Sequence, residues 1–216
     1  MSLGATRAGP VTRWWWIRHA PVDAGGRIYG AADVDADCSD PSLFFGLATR
    51  LPEPAVWLAS HLRRTHQTAD AILSQRGGER PAIRHDPALA EQSFGDWQGL
   101  TYAELEAHRG KGMATFWRSP ADETPPNGES FADLVGRVSA AVRRLTDEHR
   151  GADIVAVTHG GTIRAALALA LNLPPAQVLS FSIDNCSLPR IDHIVTDSEP
   201  GGEAWRVGAV NIGPKR

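Results

Sequence analysis

The chain has little of what builds stapled or membrane-bound proteins. Cysteine occurs twice in 216 residues, at Cys38 and Cys186. Two cysteines cannot form the dense framework of a small secreted scaffold, and their scarcity fits a reducing, cytoplasmic compartment. Neither stands in a motif with a partner histidine, so neither reads as a nucleophile. No apolar run approaches the ~20 residues of a membrane span. The apolar stretch Trp14-Trp15-Trp16-Ile17 is also too short for the core of a secretory signal. A positive excess is missing as well: the formal net charge is −3. That argues against nucleic acid as a bulk partner and leaves any basic character local. Internal repeats and low-complexity segments are absent.

What remains is an ordinary globular composition, 42% hydrophobic and 22% charged, in a length that suits one domain. Residues 1–12 read as a loose tail and 13–216 as one domain with a small cap region around 93–127. Residues 14–18 form a buried strand, followed by a Gly-rich loop. A short helix spans 42–51, with Leu43, Leu47 and Leu51 recurring every four residues, and Pro52 and Pro54 close it. A second buried strand covers 55–59. A helix follows, with Leu62, Thr65, Ala69, Ile72 and Leu73 at helical spacing. Residues 81–85 suggest a third strand, 87–100 a loop, and 101–118 one or two short helices. The clearest helix is 131–149, capped by Ser130 with Asp133 three residues on. A strand at 154–158, a helix at 162–171 and two late strands at 181–194 and 205–212 complete the chain. Strands alternating with helices define an α/β fold: a three-layer α/β/α sandwich around a mainly parallel sheet.

Two of the strands end in a histidine. The first run is followed by Arg18-His19-Ala20-Pro21, the second by Thr158-His159-Gly160-Gly161. In open α/β sheets the carboxyl edge is where ligands bind. Arg18 is costly to place at a buried strand end unless an anion pairs with it. Ser60-His61-Leu62-Arg63-Arg64-Thr65 lies where a strand meets a helix, a junction that favours anions; alone, its arginines could equally be solvated. Glu91 sits in an aromatic-rich loop, where an apolar wall would raise its pKa and suit it to general acid work; alone, it reads as a solvated carboxylate.

In this order the segments resemble the histidine phosphatase superfamily, the phosphoglycerate mutase-like fold. Arg18-His19-Ala20 is similar to the family's Arg-His-Gly. Ser60, Leu62, Arg64, Gln67, Thr68 and Ala69 fit its second motif, and residues 89–99 its acid loop. Pro126-Asn127-Gly128-Glu129-Ser130 and His159-Gly160-Gly161 match two further motifs. Ala20 departs from the usual Gly, and Val22 and Gly25 replace the Thr and Asn that often touch phosphate.

The resemblance implies hydrolysis of a small phosphomonoester, with no cofactor and no metal. It makes His19 the nucleophile, kept neutral by Arg18 and Arg64. It makes Arg18, Arg64 and His159 the phosphoryl clamp and Glu91 the acid and then the base. Gly160, Arg27 and His61 join as expected phosphate or substrate contacts, Arg27 as a replacement for the missing Thr and Asn. Only 25 residues separate Gly99 from Pro125, which looks short beside a mutase cap and favours a phosphatase, similar to α-ribazole phosphatase-like proteins. The alternatives are a phosphoglycerate mutase and a non-catalytic phosphate-binding module. Trp97, Phe116 and Trp117 are candidates for an apolar lid. A small phosphorylated metabolite is the expected partner; the sequence sets no oligomeric state.

Overall fold

The computed structural model describes residues 8–110, 120–196 and 202–214. Its elements are β1 (Ala8–Arg18), α1 (Pro41–Ala48), β2 (Val56–Ala59), α2 (Arg63–Leu73), β3 (Ile83–His85) and α3 (Tyr102–Arg109). They continue with α4 (Phe131–Glu148), β4 (Asp153–Thr158), α5 (Gly160–Leu171), α6 (Pro175–Val178), β5 (Arg190–Thr196) and β6 (Gly202–Ala209). The strands form a six-stranded sheet in the order β3-β2-β4-β1-β5-β6. The first four are mutually parallel; β5 runs antiparallel to β1, and β6 antiparallel to β5.

Strand β1 explains how the sheet is covered on both faces. Successive side chains point to opposite sides. Trp14 and Trp16 stack at 4.8 Å on one face, where α4 and α5 supply Leu134, Val138, Leu145, Ile163 and Leu167. Ile17 and the partly buried Trp15 serve the other face, against Phe44, Leu47, Ala69 and Ile72 of α1 and α2. The indole of Trp14 donates to Thr146 Oγ1 at 2.9 Å, and that of Trp15 to Asp153 Oδ1 at 2.8 Å. These bonds satisfy the indole donors of Trp14 and Trp15, whereas the buried Trp16 Nε1 has no partner.

The expected tail is shorter than the sequence suggests. Residues 8–12 belong to β1, and Ala8 pairs with Thr196. An apolar strand over 181–194 is also corrected: β5 starts only at Arg190. Residues 182–189 are turns and loop, because their polar groups serve the neighbouring site, as shown below. The capped helix at 131 forms as expected, with a reciprocal capping box between Ser130 and Asp133. Helix α3 has its own box between Thr101 and Glu104. The remainder of the expected helical stretch, 111–118, lies outside the described residues, with Phe116 and Trp117 among them. Trp97 is 8% exposed and packs with Ile28 and Leu105 in a small separate cluster, so it is core.

Candidate active site

Strands β2, β4 and β1 are neighbours, so their carboxyl ends deliver Ser60, His159 and His19 to one place. The rings of His19 and His159 lie 5.3 Å apart, and both residues are buried. His19 Nδ1 is 2.7 Å from the Ala20 carbonyl oxygen. A carbonyl only accepts, so Nδ1 carries the proton and Nε2 keeps its lone pair. Burial pushes the His19 imidazole down to about 3; the Ala20 bond opposes this, while Arg64 and Arg18 add to it. The expected cause was the two arginines; burial outranks both.

The segment holding His19 is fixed from three sides. His19 N–H donates to the Thr158 carbonyl at 2.9 Å, and Cys186 N–H to the Arg18 carbonyl at 2.9 Å. Asn185 Nδ2 donates to the His19 carbonyl at 2.7 Å. Thr68 Oγ1 accepts from Ala20 N–H at 2.8 Å and donates to the Arg64 carbonyl at 2.7 Å. Asn185 escaped the sequence reading because a strand was expected there. Its loop position, between Asp184 and a Cys186 at φ 57°, carries no periodic signal.

Arg64 is fully buried. Its Nε donates to His159 Nδ1 at 3.2 Å, and its terminal nitrogens donate to the carbonyls of Ala32 (2.7 Å) and Gly30 (2.6 Å). Its guanidinium stands 5.1 Å from the centre of the Tyr29 ring, which also meets His19 edge-on at 6.3 Å. Because His159 Nδ1 accepts from Arg64, its proton is on Nε2, which donates to Ser60 Oγ at 2.8 Å. Burial above all, then Arg64, holds His159 well below the ordinary histidine range. Both its ring nitrogens are therefore engaged within the protein. The expected clamp residue thus has its ring spent on Ser60 and Arg64.

Arg18 Nη1 donates to the Ile183 carbonyl at 2.6 Å, while its buried Nε has no protein partner. Glu91 takes backbone donors on both oxygens: Gln92 N–H at 3.0 Å and Gly161 N–H at 3.2 Å. A Cβ on Gly161 would stand 2.2 Å from Glu91 Oε1, so only glycine leaves the carboxylate its seat. Gly160 lies alongside Arg18, whose Nε would be 3.6 Å from a Cβ there.

Two expected contacts go elsewhere. Arg27 donates to the Gly99 carbonyl at 2.6 Å and pairs with Glu104 at 3.3 Å; it ties the Gly-rich loop to the α3 cap and does not rebuild the cradle. Arg63 is held by Asp33 and Asp35 at the surface. His61 is exposed, near enough for its charge to act on His159, so it stands at the rim. His66 donates to the Ser60 carbonyl at 2.8 Å and packs on His85.

A neutral buried histidine beside cationic side chains and a positioned carboxylate, at the carboxyl edge of a parallel sheet, defines an α/β phosphoryl-transfer enzyme. The family model of the histidine phosphatase superfamily (branch 1) matches residues 14–199. The chain belongs to that superfamily. A glucosyl-3-phosphoglycerate phosphatase of Mycolicibacterium vanbaalenii is 33% identical, covering 93% of this chain and 95% of that protein. The native structure of a mycobacterial glucosyl-3-phosphoglycerate phosphatase superposes with a TM-score of 0.79 at 28% identity, covering 94% of this chain and 100% of that one. An Escherichia coli structure described as a putative α-ribazole-5'-P phosphatase gives 0.76 at 25% identity, covering 94% and 99%.

Proposed function

We propose that this chain hydrolyses a small phosphomonoester through a phosphohistidine on His19. Relatives over nearly the whole chain are phosphatases, while mutases of the same superfamily match over a smaller share of it. The observation that carries the mechanism is the Nδ1–H bond to Ala20, which leaves the lone pair on Nε2. Nε2 attacks phosphorus, the P–O bond to the alcohol breaks, and protonated Glu91 gives its proton to the leaving oxygen. Glu91 then takes a proton from water, the hydroxide attacks phosphorus, and the P–N bond electrons return to Nε2. Phosphoryl transfer is mostly positioning and charge stabilisation. Arg18 Nε, the unspent N–H groups of Arg64 and the amino end of α5 supply both. His159 and Ser60 act through Arg64 as positioning residues.

The site works within a single domain that takes in β1 from Ala8 onward, and the expected cap around 93–127 is the region we assign to substrate selection. The relatives' names support a small phosphorylated metabolite as the substrate. Among the described residues no helix is long and apolar enough to cross a membrane. With two free cysteines, the cytoplasm is the proposed compartment.

The test is a chromogenic phosphatase assay on the wild type and His19→Ala, with trapping of an acid-labile, base-stable phosphoenzyme. The expected result is turnover and trapping in the wild type only. Equal rates in both proteins overturn the mechanism. With 3-phosphoglycerate and a bisphosphate primer, free phosphate should appear before 2-phosphoglycerate; the reverse order makes the chain a mutase.

A further inference from the structure

The first turn of α5 carries more charge than phosphoryl transfer uses. Arg164 follows Gly160 by one helical turn, so the two share a face. Its Nη1 would lie 3.5 Å from a Cβ on Gly160, and Arg18 Nε 3.6 Å from the same point. On the next residue the Glu91 carboxylate fills the equivalent place. Two guanidiniums and the general acid thus crowd two adjacent glycines. Arg164 Nε donates to the Phe181 carbonyl at 2.8 Å. Its terminal nitrogens have no hydrogen bond and no ion pair among the described residues, although Arg164 is partly buried.

The charges that bear on Arg164 are Glu91 and Arg18, whereas those that bear on His19 are Arg64 and Arg18. Glu91 and Arg18 bear on Arg64 as well, so Arg164 is set apart by its place, one helical turn from the Gly160 that Arg18 lines and beside the Gly161 that Glu91 fills. Glu91 meets the leaving oxygen, so the groups beside it face the alcohol portion of the ester. A planar guanidinium with both terminal nitrogens unspent matches a carboxylate in a two-point fork.

We propose that Arg164 is a specificity-determining residue that grips a carboxylate on the alcohol portion of the substrate. This rests on the phosphatase reading above and deepens it: the favoured substrates are phosphomonoesters of hydroxy acids.

The matched pair 3-phosphoglycerate and glycerol 3-phosphate tests it, since they differ only by a carboxylate against a hydroxymethyl group. In the wild type kcat/KM favours 3-phosphoglycerate. In Arg164→Gln that preference falls by about 10- to 100-fold, the range for a charge-assisted bond, through KM more than kcat. Arg164→Lys restores part of it. A preference unchanged in Arg164→Gln, or an equal loss on both esters, overturns the inference. Calorimetric binding of both esters to His19→Ala, with and without Arg164→Gln, reads the same ratio with no turnover. A wild type inert toward both esters and toward p-nitrophenyl phosphate, yet showing that binding ratio, sinks the phosphatase reading and leaves the carboxylate grip standing.

Discussion

Ala20 sits directly behind His19, the proposed nucleophile, where the family pattern has glycine, and its surroundings admit the methyl. Its φ lies outside the left-handed region, so no backbone strain calls for glycine. The methyl is fully buried among Ile17, Phe44 and Leu47. Ala20→Gly should therefore lower stability by about 1 kcal/mol, through one lost methyl and a looser unfolded chain, measured by urea unfolding. It should not raise kcat. Gly161 is the opposite case. A methyl there collides with the tip of the flexible Glu91 side chain rather than with backbone, so the fold survives while the acid is displaced. Gly161→Ala should lower kcat by about 100-fold or more, the scale of a lost general acid, with a melting temperature within a few degrees of wild type. At this scale the motifs showed which side chains gather: His19, Arg64 and His159 meet, and Glu91 sits against Gly161 beside them. The sequence misled at Arg27, because a cation near a Gly-rich loop reads the same whether its partner is phosphate or Glu104. It was silent on Asn185 and Arg164, whose significance is set by residues more than 60 positions away.

Helices α2 and α4 and strands β1 and β4 were readable because one face or both are buried and the apolar period is unbroken. The segment from Phe181 to Pro189 was not. It is apolar enough to suggest a strand, yet it spends its polar groups on Arg18, Arg164 and the His19 segment, which a ladder would forbid. The acid loop shows another device invisible to periodicity. The turns at Gly95 and Gly128 pack back to back: a Cβ on Gly95 would lie 2.0 Å from the Pro126 carbonyl oxygen, and one on Gly128 2.5 Å from that of Ser93. Both obstacles are backbone and cannot swing away. Gly128→Ala should cost about 2 kcal/mol or more by overpacking and loosen the loop that carries Glu91. Ser130→Ala removes the α4 cap two residues on and should cost about 1 kcal/mol. Thermal unfolding of the two variants checks the ranking.

Over the whole molecule, two buried neutral histidines couple folding to pH. Both have folded values below the ordinary 6.5, His19 at about 3 and His159 also lowered. Between those limits the unfolded chain binds protons that the folded one refuses. Stability is therefore complete above about pH 6.5 and declines as the pH falls, by up to about 1.4 kcal/mol per pH unit for each histidine. Urea unfolding between pH 7.5 and 5 should show a shallower acid loss in His19→Asn than in wild type; identical slopes would contradict the burial argument. The parallel sheet was legible from the alternation of elements, but its strand order was not, since nothing local says that β1 lies between β4 and β5. That order has a consequence in time. The proposed nucleophile, His19, enters early, and the strand partner of β1, β4, enters only with residues 153–158. During synthesis the amino-terminal half emerges first, and long-range parallel pairing forms slowly. A nascent or truncated chain lacking β4 thus holds no assembled centre, and phosphatase activity becomes a report that synthesis has passed β4.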